Sequence, residues 1–297
     1  MKNIFSKSGI SLDRLQTLRE VVRAGSITRA AKDDATRQSQ ISRQIKELEE
    51  ALGLALLDRT VKPYGPTQAA IRLVDSCERF VREVDDVSAE ALGQQSTIKV
   101  GAGEFVIREI LVRWIGSRLK SSTSISWVIR NLTSGQIQRE LAAERLDLGL
   151  ASGLIGTDIV RVKELASYGM KLVLPTNEKP DKSGWMRLAA ARVVVLEGDG
   201  GFRQFLAGCE RDQGMKLNIG AECTSYPQAV DLAEAADWAV FVPELWWRRC
   251  KDWAARTQVL PGLDDYRHTL QLGWNERASK RRPEVERLVN ELGRSGK

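Results

Sequence analysis

The sequence predicts an all-α N-terminal part, one long helix, and an α/β C-terminal part. Three observations carry that division. Residues 1–67 are dense in helix formers, with no strand-like run until their end. Residues 68–92 form one uninterrupted helical pattern without Gly or Pro. From residue 93 onward, short β-branched runs alternate with amphipathic stretches, as strands alternate with helices.

In the first part, Leu12, Leu15, Leu18, Val21 and Val22 fall on one helical stripe. Gly25-Ser26 breaks that helix, and Ser26 suits the N-cap of a second, because its hydroxyl can accept from a free backbone N–H. Ile27, Ala30 and Ala31 line this short helix, and the two alanines allow another helix to approach closely. A third helix is expected from about Arg37 to Glu50, with Thr36 as its cap. Its apolar residues Ile41, Ile45, Leu48 and Leu52 recur at core-facing spacing. The opposite face holds Gln38, Ser39, Ser42, Arg43 and Lys46. Gln can pair bidentately with adenine, Arg with guanine, and Ser can bond a base or a phosphate. Two short helices joined tightly, the second bearing such a face, is the helix-turn-helix plan. Any solvated helix shows the same residue types, so at this level both readings stand.

Thr67 can cap a helix beginning at Gln68. Ala70, Val74, Cys77, Val81, Val84, Ser88 and Ala91 then follow at alternating spacings of four and three, a heptad seam. Leu73, Phe80 and Val87 widen it, and the segment carries a net charge of −3. Such a helix needs a partner, either a second copy or the chain's own second domain. Cys77 reads as a small core residue.

Strands are expected at 98–102, 126–130, 146–150, 171–174, 192–196, 217–223, 238–242 and 269–272. Helices are expected near 105–119, 136–145, 201–211, 227–236 and 283–292. This alternation argues for mainly parallel sheets flanked by helices.

Composition narrows the chemistry. The chain has 297 residues, 45 Lys and Arg against 39 Asp and Glu, and a net charge of +6, a mild lean toward a polyanionic partner. Hydrophobic residues, at 42%, suffice for ordinary cores and exclude global disorder. His268 is the single histidine, so a multi-histidine metal site is impossible. Asp264 and Asp265 lie near it, but no spacing marks a nucleophile, and neither catalysis, metal nor cofactor is expected. Cys77, Cys209, Cys223 and Cys250 form no CxxC pair, which suits a reducing compartment. A redox sensor built on Cys209 and Cys223 is a rival reading, with only Arg211 as a nearby cation. The eight tryptophans, Trp246-Trp247 among them, read as core first and as a stacking surface second. No apolar run approaches a membrane span, and residues 1–11 hold no long apolar stretch of a signal peptide. A cytoplasmic protein is expected.

The order Gly25-Ser26-Ile27-Thr28-Arg29-Ala30-Ala31, then Gln38 to Glu49, Leu52-Gly53, Leu57-Asp58-Arg59-Thr60 and Thr67-Gln68-Ala69 resembles the winged helix-turn-helix of LysR-type transcriptional regulators. The resemblance covers nearly the whole chain, closely at the N-terminus and divergently beyond it. It implies a sequence-specific DNA-binding regulator. It places Gln38, Ser39, Ser42 and Arg43 in the major groove and Thr28 and Arg29 near phosphates. Residues 59–66 become the wing, turned at Pro63-Tyr64-Gly65, with Arg59 and Lys62 toward phosphates or the minor groove. The full expected set adds Arg37, Gln40 and Lys46. Asp34 stands where the family has a buried Leu, and Thr36-Arg37 replaces its Val-Ser, so Asp34 is expected to face solvent in a re-packed turn.

The linker helix of that family pairs with its counterpart in a second subunit, which makes Ala70, Val74, Cys77, Val81 and Val84 the expected dimerisation residues. The C-terminal part resembles the family's effector-binding domain, two α/β lobes of the periplasmic-binding-protein type II-like fold. The best local match is Leu146-Asp147-Leu148-Gly149-Leu150, and Ala235 to Pro243 matches less well. The implied domains are 10–67, 68–92 and 97–297, with lobe 1 at 97–162 plus 267–297 and lobe 2 at 163–266. A small-molecule effector is expected between the lobes, at Gly103-Glu104, Thr133-Ser134, Gly201-Phe202-Arg203 and Thr224-Ser225. Ser134 and Ser225 also suit plain helix caps. Glu104 would repel an anionic ligand or favour one with an amine or hydroxyl donor, and it would equally stabilise its own helix N-terminus. Expected partners are double-stranded DNA, further copies in a homodimer or homotetramer, the effector and, indirectly, RNA polymerase, with no membrane. The alternative is a ligand-binding or enzymatic α/β protein whose N-terminal module serves only assembly.

Overall fold

Helix α1 (Leu12–Ala24) begins at Ser11, whose hydroxyl accepts from the Arg14 N–H, and stops at Gly25, φ +78°. The computed structural model describes residues 9–60, 62–92, 95–119, 125–247 and 251–294, in two compact units that divide after Gln94. Cys250 and residues 1–8 lie outside the described residues.

In the first unit, Ser26 caps α2 (Ile27–Ala31) by accepting from the Arg29 N–H, as its position suggests. The turn that follows passes through Lys32 and Asp33, both left-handed at φ 52° and 63°. Helix α3 (Ala35–Leu52) starts earlier than expected, and its cap is not Thr36. Asp34 accepts from both the Thr36 and Arg37 N–H groups. The unusual Asp therefore faces solvent as a functioning cap, which explains how the turn tolerates it. Strands β1 (Leu57–Asp58) and β2 (Gly65–Pro66) pair antiparallel as the base of the wing. The Thr67 hydroxyl accepts from the Ala70 N–H and opens α4 (Gln68–Ala91). Leu18, Val21, Ile41, Ile45, Leu48, Leu56 and Leu57 close one core with the alanines of α2. Each fully buried leucine contributes about 1.5–3 kcal/mol. Leu12, expected on the buried stripe, is 67% exposed because it sits on the first turn beyond that core.

The second unit holds two five-stranded sheets. The first contains β3 (Ser96–Ala102), β4 (Ile125–Asn131), β5 (Leu148–Ala151) and β6 (Val160–Tyr168), with the later strand β12 between β5 and β6. Helix α5 (Glu104–Val106) continues through a π-helical stretch, Ile107–Leu111, into α6 (Val112–Leu119). Helix α7 (Ser134–Ala142) lies on β5 so closely that a Cβ at Gly149 would stand 2.3 Å from an Ile137 methyl. Only glycine fits there. The neighbouring Asp147 accepts from the Lys99 N–H and pairs with Arg282, which also reaches the Thr97 carbonyl.

The second sheet contains β7 (Met170–Val173), β8 (Val193–Leu196), β9 (Ile219–Cys223), β10 (Ala239–Pro243) and β11 (Thr257–Gln258). Around it stand α8 (Arg187–Ala190), α9 (Gly201–Asp212), α10 (Tyr226–Ala236) and α11 (Glu244–Trp247). The chain then returns to the first sheet as β12 (His268–Asn275) and ends in α12 (Glu276–Arg281) and α13 (Pro283–Arg294).

Two expectations need correction. The sheets are mixed rather than mainly parallel, because β12 runs antiparallel to β5 and β6, and β7 runs antiparallel to β10 and β11. Strand β6 stays in the first sheet through Tyr168, so the chain passes between lobes at Gly169 rather than at 162–163. Its sequence, with Lys, Arg and Glu at the exposed positions, lacks the apolar run that marked the other strands.

Candidate functional site

The outer face of α3 presents Arg37, Gln38, Ser39, Gln40, Ser42, Arg43 and Lys46, all exposed. Gln38, Gln40 and Ser42 have no partner among the described residues, whereas the charges are held. Arg37 reaches Glu20 at 3.1 Å, Arg43 reaches Glu47 at 3.0 Å, and Lys46 stands 3.9 Å from Glu50. Arg43 and Arg14 together hold the Glu47 carboxyl below its ordinary range. The Ser39 hydroxyl donates back to the Ala35 carbonyl, leaving its lone pairs outward. Thr28 is half-buried and Arg29 exposed at the start of α2. The face is therefore a row of outward donors and acceptors on a helix whose back is fully buried.

Sequence reasoning missed what sets the wing. Glu49 is buried, and its Oε1 accepts from the Leu56 and Leu57 N–H groups at 2.7 and 3.1 Å. Its Oε2 takes the Arg59 guanidinium at 2.7 Å. Arg59 is thus an anchor of the wing before it is a free cation. Lys62 is exposed, 5.9 Å over the Tyr64 ring.

The seam of α4 divides. Ala70 and Val74, expected to face a partner, are buried in the unit's own core, because the first turns of α4 pack on α1. Arg19 and Arg23 fix that packing by converging on Glu78 at 2.9 Å each. Further along, Phe80, Val81, Val84 and Val87 are 53, 49, 47 and 67% exposed, an apolar stripe that none of the described residues covers. Cys77 lies at the junction, half-buried, and burial pushes its thiol up.

Between the lobes, Glu104 stands at the start of α5 and Ser225 caps α10. The Ser225 hydroxyl donates to Glu104 Oε2 and accepts from the Gln228 N–H at 3.4 Å. Beneath this bridge Phe105 meets Tyr168, Tyr226 and Trp246, each at 6.0 Å between ring centres. Thr133 and Ser134 behave otherwise. Thr133, not Ser134, caps α7, in a reciprocal capping box with Gln136. Thr224 donates to Gln228. Arg203 is paired with Glu222 at 3.2 Å. Phe202 is buried in the second lobe's own core, so its ring is packing rather than ligand surface. Gly201 lies so near Tyr266 that a Cβ would be 3.3 Å from its hydroxyl.

The strands that pass between the lobes carry a cluster unforeseen as a site. His268 opposes Tyr168 in register, lies 5.0 Å edge-on to Tyr266, and has the Tyr226 hydroxyl 3.5 Å from its Nε2. Burial pushes Tyr168 up to about 12 and His268 down to about 4. Glu244 buttresses the same crossing, taking Arg267 at 3.3 Å and the Gly169 N–H at 3.4 Å. The alternation Tyr266, His268, Leu270 was the available signal.

His268 is neutral in the folded chain, and the unfolded chain binds the extra proton between pH 6.5 and 4. Its contribution is complete above pH 6.5 and is lost as pH falls toward 4, amounting to about 2 kcal/mol already at pH 5. Urea unfolding at pH 7 and 5 should show that loss in the wild type and a shallower slope in His268→Phe. Equal slopes would refute it.

Cys77, Cys209 and Cys223 are free thiols, each raised by burial, which disfavours the thiolate a redox sensor uses. Among the described residues no helix is long and apolar enough to cross a membrane.

Residues 12–71 match a family model described as "Bacterial regulatory helix-turn-helix protein, lysR family". Residues 91–297 match "LysR substrate binding domain". The chain is 27% identical over 248 residues to a "Probable RuBisCO transcriptional regulator" of Porphyra purpurea, across 78% of this chain and 77% of that protein. It is 28% identical over 163 residues to the "HTH-type transcriptional activator AaeR" of Escherichia coli (strain K12), about half of each at 54% and 52%. The crystal structure of CbnR, a LysR family transcriptional regulator, superposes with a TM-score of 0.66 at 20% identity, covering 97% of this chain and 100% of that one. Full-length CbnR complexed with its target DNA gives 0.66 at 19%, covering 96% and 100%. At such identity the structural likeness is one of fold.

Proposed function

The chain belongs to the LysR family of transcriptional regulators, with a helix-turn-helix DNA-binding domain and an effector-binding domain, and from that premise we propose how its residues divide the work. Gln38, Gln40, Ser42 and Arg43 read base edges in the major groove, with Ser39 beside them. Thr28, Arg29, Arg37, Lys46 and Lys62 meet phosphates, and Arg59 joins them only as far as Glu49 releases it. The observation that carries this reading is the solvent-facing row on α3, set on a helix whose other face is locked into the core. The dimer seam is the later part of α4, from Cys77 through Val81, Val84 and Val87, with Ala70 and Val74 serving the monomer's own packing. A small-molecule effector binds between the lobes and biases the arrangement of subunits on DNA, since a ligand shifts a two-state equilibrium by its differential affinity. Contact with RNA polymerase follows indirectly, from where the protein is bound. The protein works in the cytoplasm.

Genomic fragments selected by the purified full chain at physiological salt test this. A few discrete enriched sites support sequence-specific regulation. Uniform binding that fades steeply with salt would leave only charge attraction and overturn it.

The seam has its own test. Val84→Asp puts a carboxylate on the exposed stripe, where the single chain loses no buried contact. Monomer stability should stay within about 0.5 kcal/mol. The dissociation constant of the oligomer, read by sedimentation, should rise at least ~100-fold, because the charge would be buried unpaired at the seam. An unchanged oligomer would place the seam elsewhere.

A further inference from the structure

One polar bridge joins the two rows of strand ends that face each other across the lobes. Glu104 follows β3 of the first sheet and Ser225 follows β9 of the second, and the Ser225 hydroxyl donates to the Glu104 carboxylate. Both positions are the carboxyl ends of parallel strands, where α/β folds gather their ligands. Resting on the reading of this region as an effector cleft, we propose that Glu104 puts the chain's own carboxylate among these strand ends. It thereby sets the ligand class: simple carboxylates are refused, and the ligand presents an ammonium or hydroxyl donor to Glu104.

Four features of the surroundings lead to this. The Ser225 hydroxyl has a single proton, and that proton is already given to Glu104, so a second carboxylate finds no donor on it. The carboxylate is also well placed electrostatically, because Ser225 accepts from the Gln228 N–H at the positive end of α10, a helix of 11 residues.

The floor is aromatic. Phe105 and Tyr226 follow the bridging pair directly in sequence, meet edge to face at 6.0 Å, and are backed by Trp246. Bringing a second anion over such a floor, beside an existing one, costs both desolvation and like-charge repulsion. Among the described residues, three arginines on neighbouring elements already have contacts of their own. Arg203 is held by Glu222, Arg267 by Glu244, and the Arg108 guanidinium lies 5.6 Å over the Trp246 ring. A donor ligand, by contrast, meets an acceptor already in place, since a carboxylate offers lone pairs beyond the one Ser225 uses.

The test compares the full-length wild type with Glu104→Ala, Glu104→Gln and the double variant Glu104→Ala/Ser225→Ala. Sodium acetate and ethanolamine hydrochloride are titrated against sodium chloride at matched ionic strength, with thermal unfolding and tryptophan fluorescence as readouts. Acetate should bind Glu104→Ala at least tenfold more tightly than the wild type, and the double variant should lose that gain. Glu104→Gln keeps the shape and an acceptor for Ser225 but loses the charge, so it should bind ethanolamine at least tenfold more weakly than the wild type, and it covers the case in which the alanine variant folds poorly. Ethanolamine should follow the reverse order, favouring the wild type. Equal responses of wild type and Glu104→Ala to acetate, or no response from the folded alanine variant, would overturn the inference. So would a Glu104→Gln chain that binds ethanolamine as tightly as the wild type. Probe binding of equal strength in the wild type and all variants would keep the cleft reading and refute only the role of Glu104, whereas no response to either probe in any folded chain would remove both.

Discussion

Replacing Gln38 and Arg43 together with alanine should remove about 2–6 kcal/mol of site-specific binding per recognition helix, at ~1–3 kcal/mol for each bidentate base contact. Fold and stability should hardly change. Both side chains are exposed on α3, and among the described residues the internal interaction lost is the Arg43–Glu47 pair, a surface bridge spaced i,i+4. Such a pair is worth about 0.3–0.5 kcal/mol. The doubly substituted protein should also keep most of its non-specific, salt-dependent binding, since the phosphate-facing cations remain. Gln38→Ala alone should relax preference at one base position, and Arg43→Lys should lose the guanidinium fork while keeping the charge. The check is competition binding against selected and scrambled DNA, alongside urea unfolding. Equal affinity for the selected site in the double variant and the wild type would remove α3 as the reading element.

Glu49→Ala is expected to act in the opposite manner, on folding before binding. The carboxylate is 9% exposed and serves three donors: two backbone N–H groups at the base of the wing and the Arg59 guanidinium. Alanine leaves two N–H groups buried without acceptors and frees a charge that was held. Stranding buried partners in this way costs about 3–5 kcal/mol, enough to unfold a unit of marginal stability. Glu49→Gln keeps an acceptor oxygen for Leu56 and Leu57 but forfeits the ion pair, and should cost about 1–2 kcal/mol. Denaturant unfolding that resolves the N-terminal unit distinguishes the two. If both variants unfold at the wild-type midpoint, the Glu49 contacts do not hold the wing.

What was legible in the sequence follows from periodicity and caps. Leu18, Ile41, Ile45 and Leu48 repeat at helical spacing, and each is buried as that spacing requires. Ser26, Thr67 and Ser225 all cap the helices they precede. The failures have more than one cause: local turn geometry, a charged strand face, and partners distant in sequence. Asp34 displaced Thr36 as a cap because the left-handed turn before it swings its carboxylate over two free N–H groups, and no propensity shows that. Glu49 looks like one more charge on a helix until the strand of the wing folds back onto it. Strand β6 is amphipathic in charge rather than apolar, since most of its residues between Val160 and Tyr168 are exposed or half-buried. The Glu104–Ser225 bridge joins residues 121 apart. Glu104 was visible as an oddity, but its partner was visible only in three dimensions.

The turn through Lys32 and Asp33 can be regarded as the mounting of a lever. Helix α3 has 18 residues, so it reaches about 27 Å from that mounting. A tilt of roughly 10° at the near end would displace the far end by about 5 Å, more than the ~3.4 Å step between successive base pairs. Two successive left-handed residues with side chains, each disfavoured by about 1–2 kcal/mol relative to the right-handed region, leave the joint few alternative angles. Glycine at either position would relieve that cost and admit those angles. The tight turn thus converts a local energetic penalty into alignment tolerance finer than one rung of the duplex.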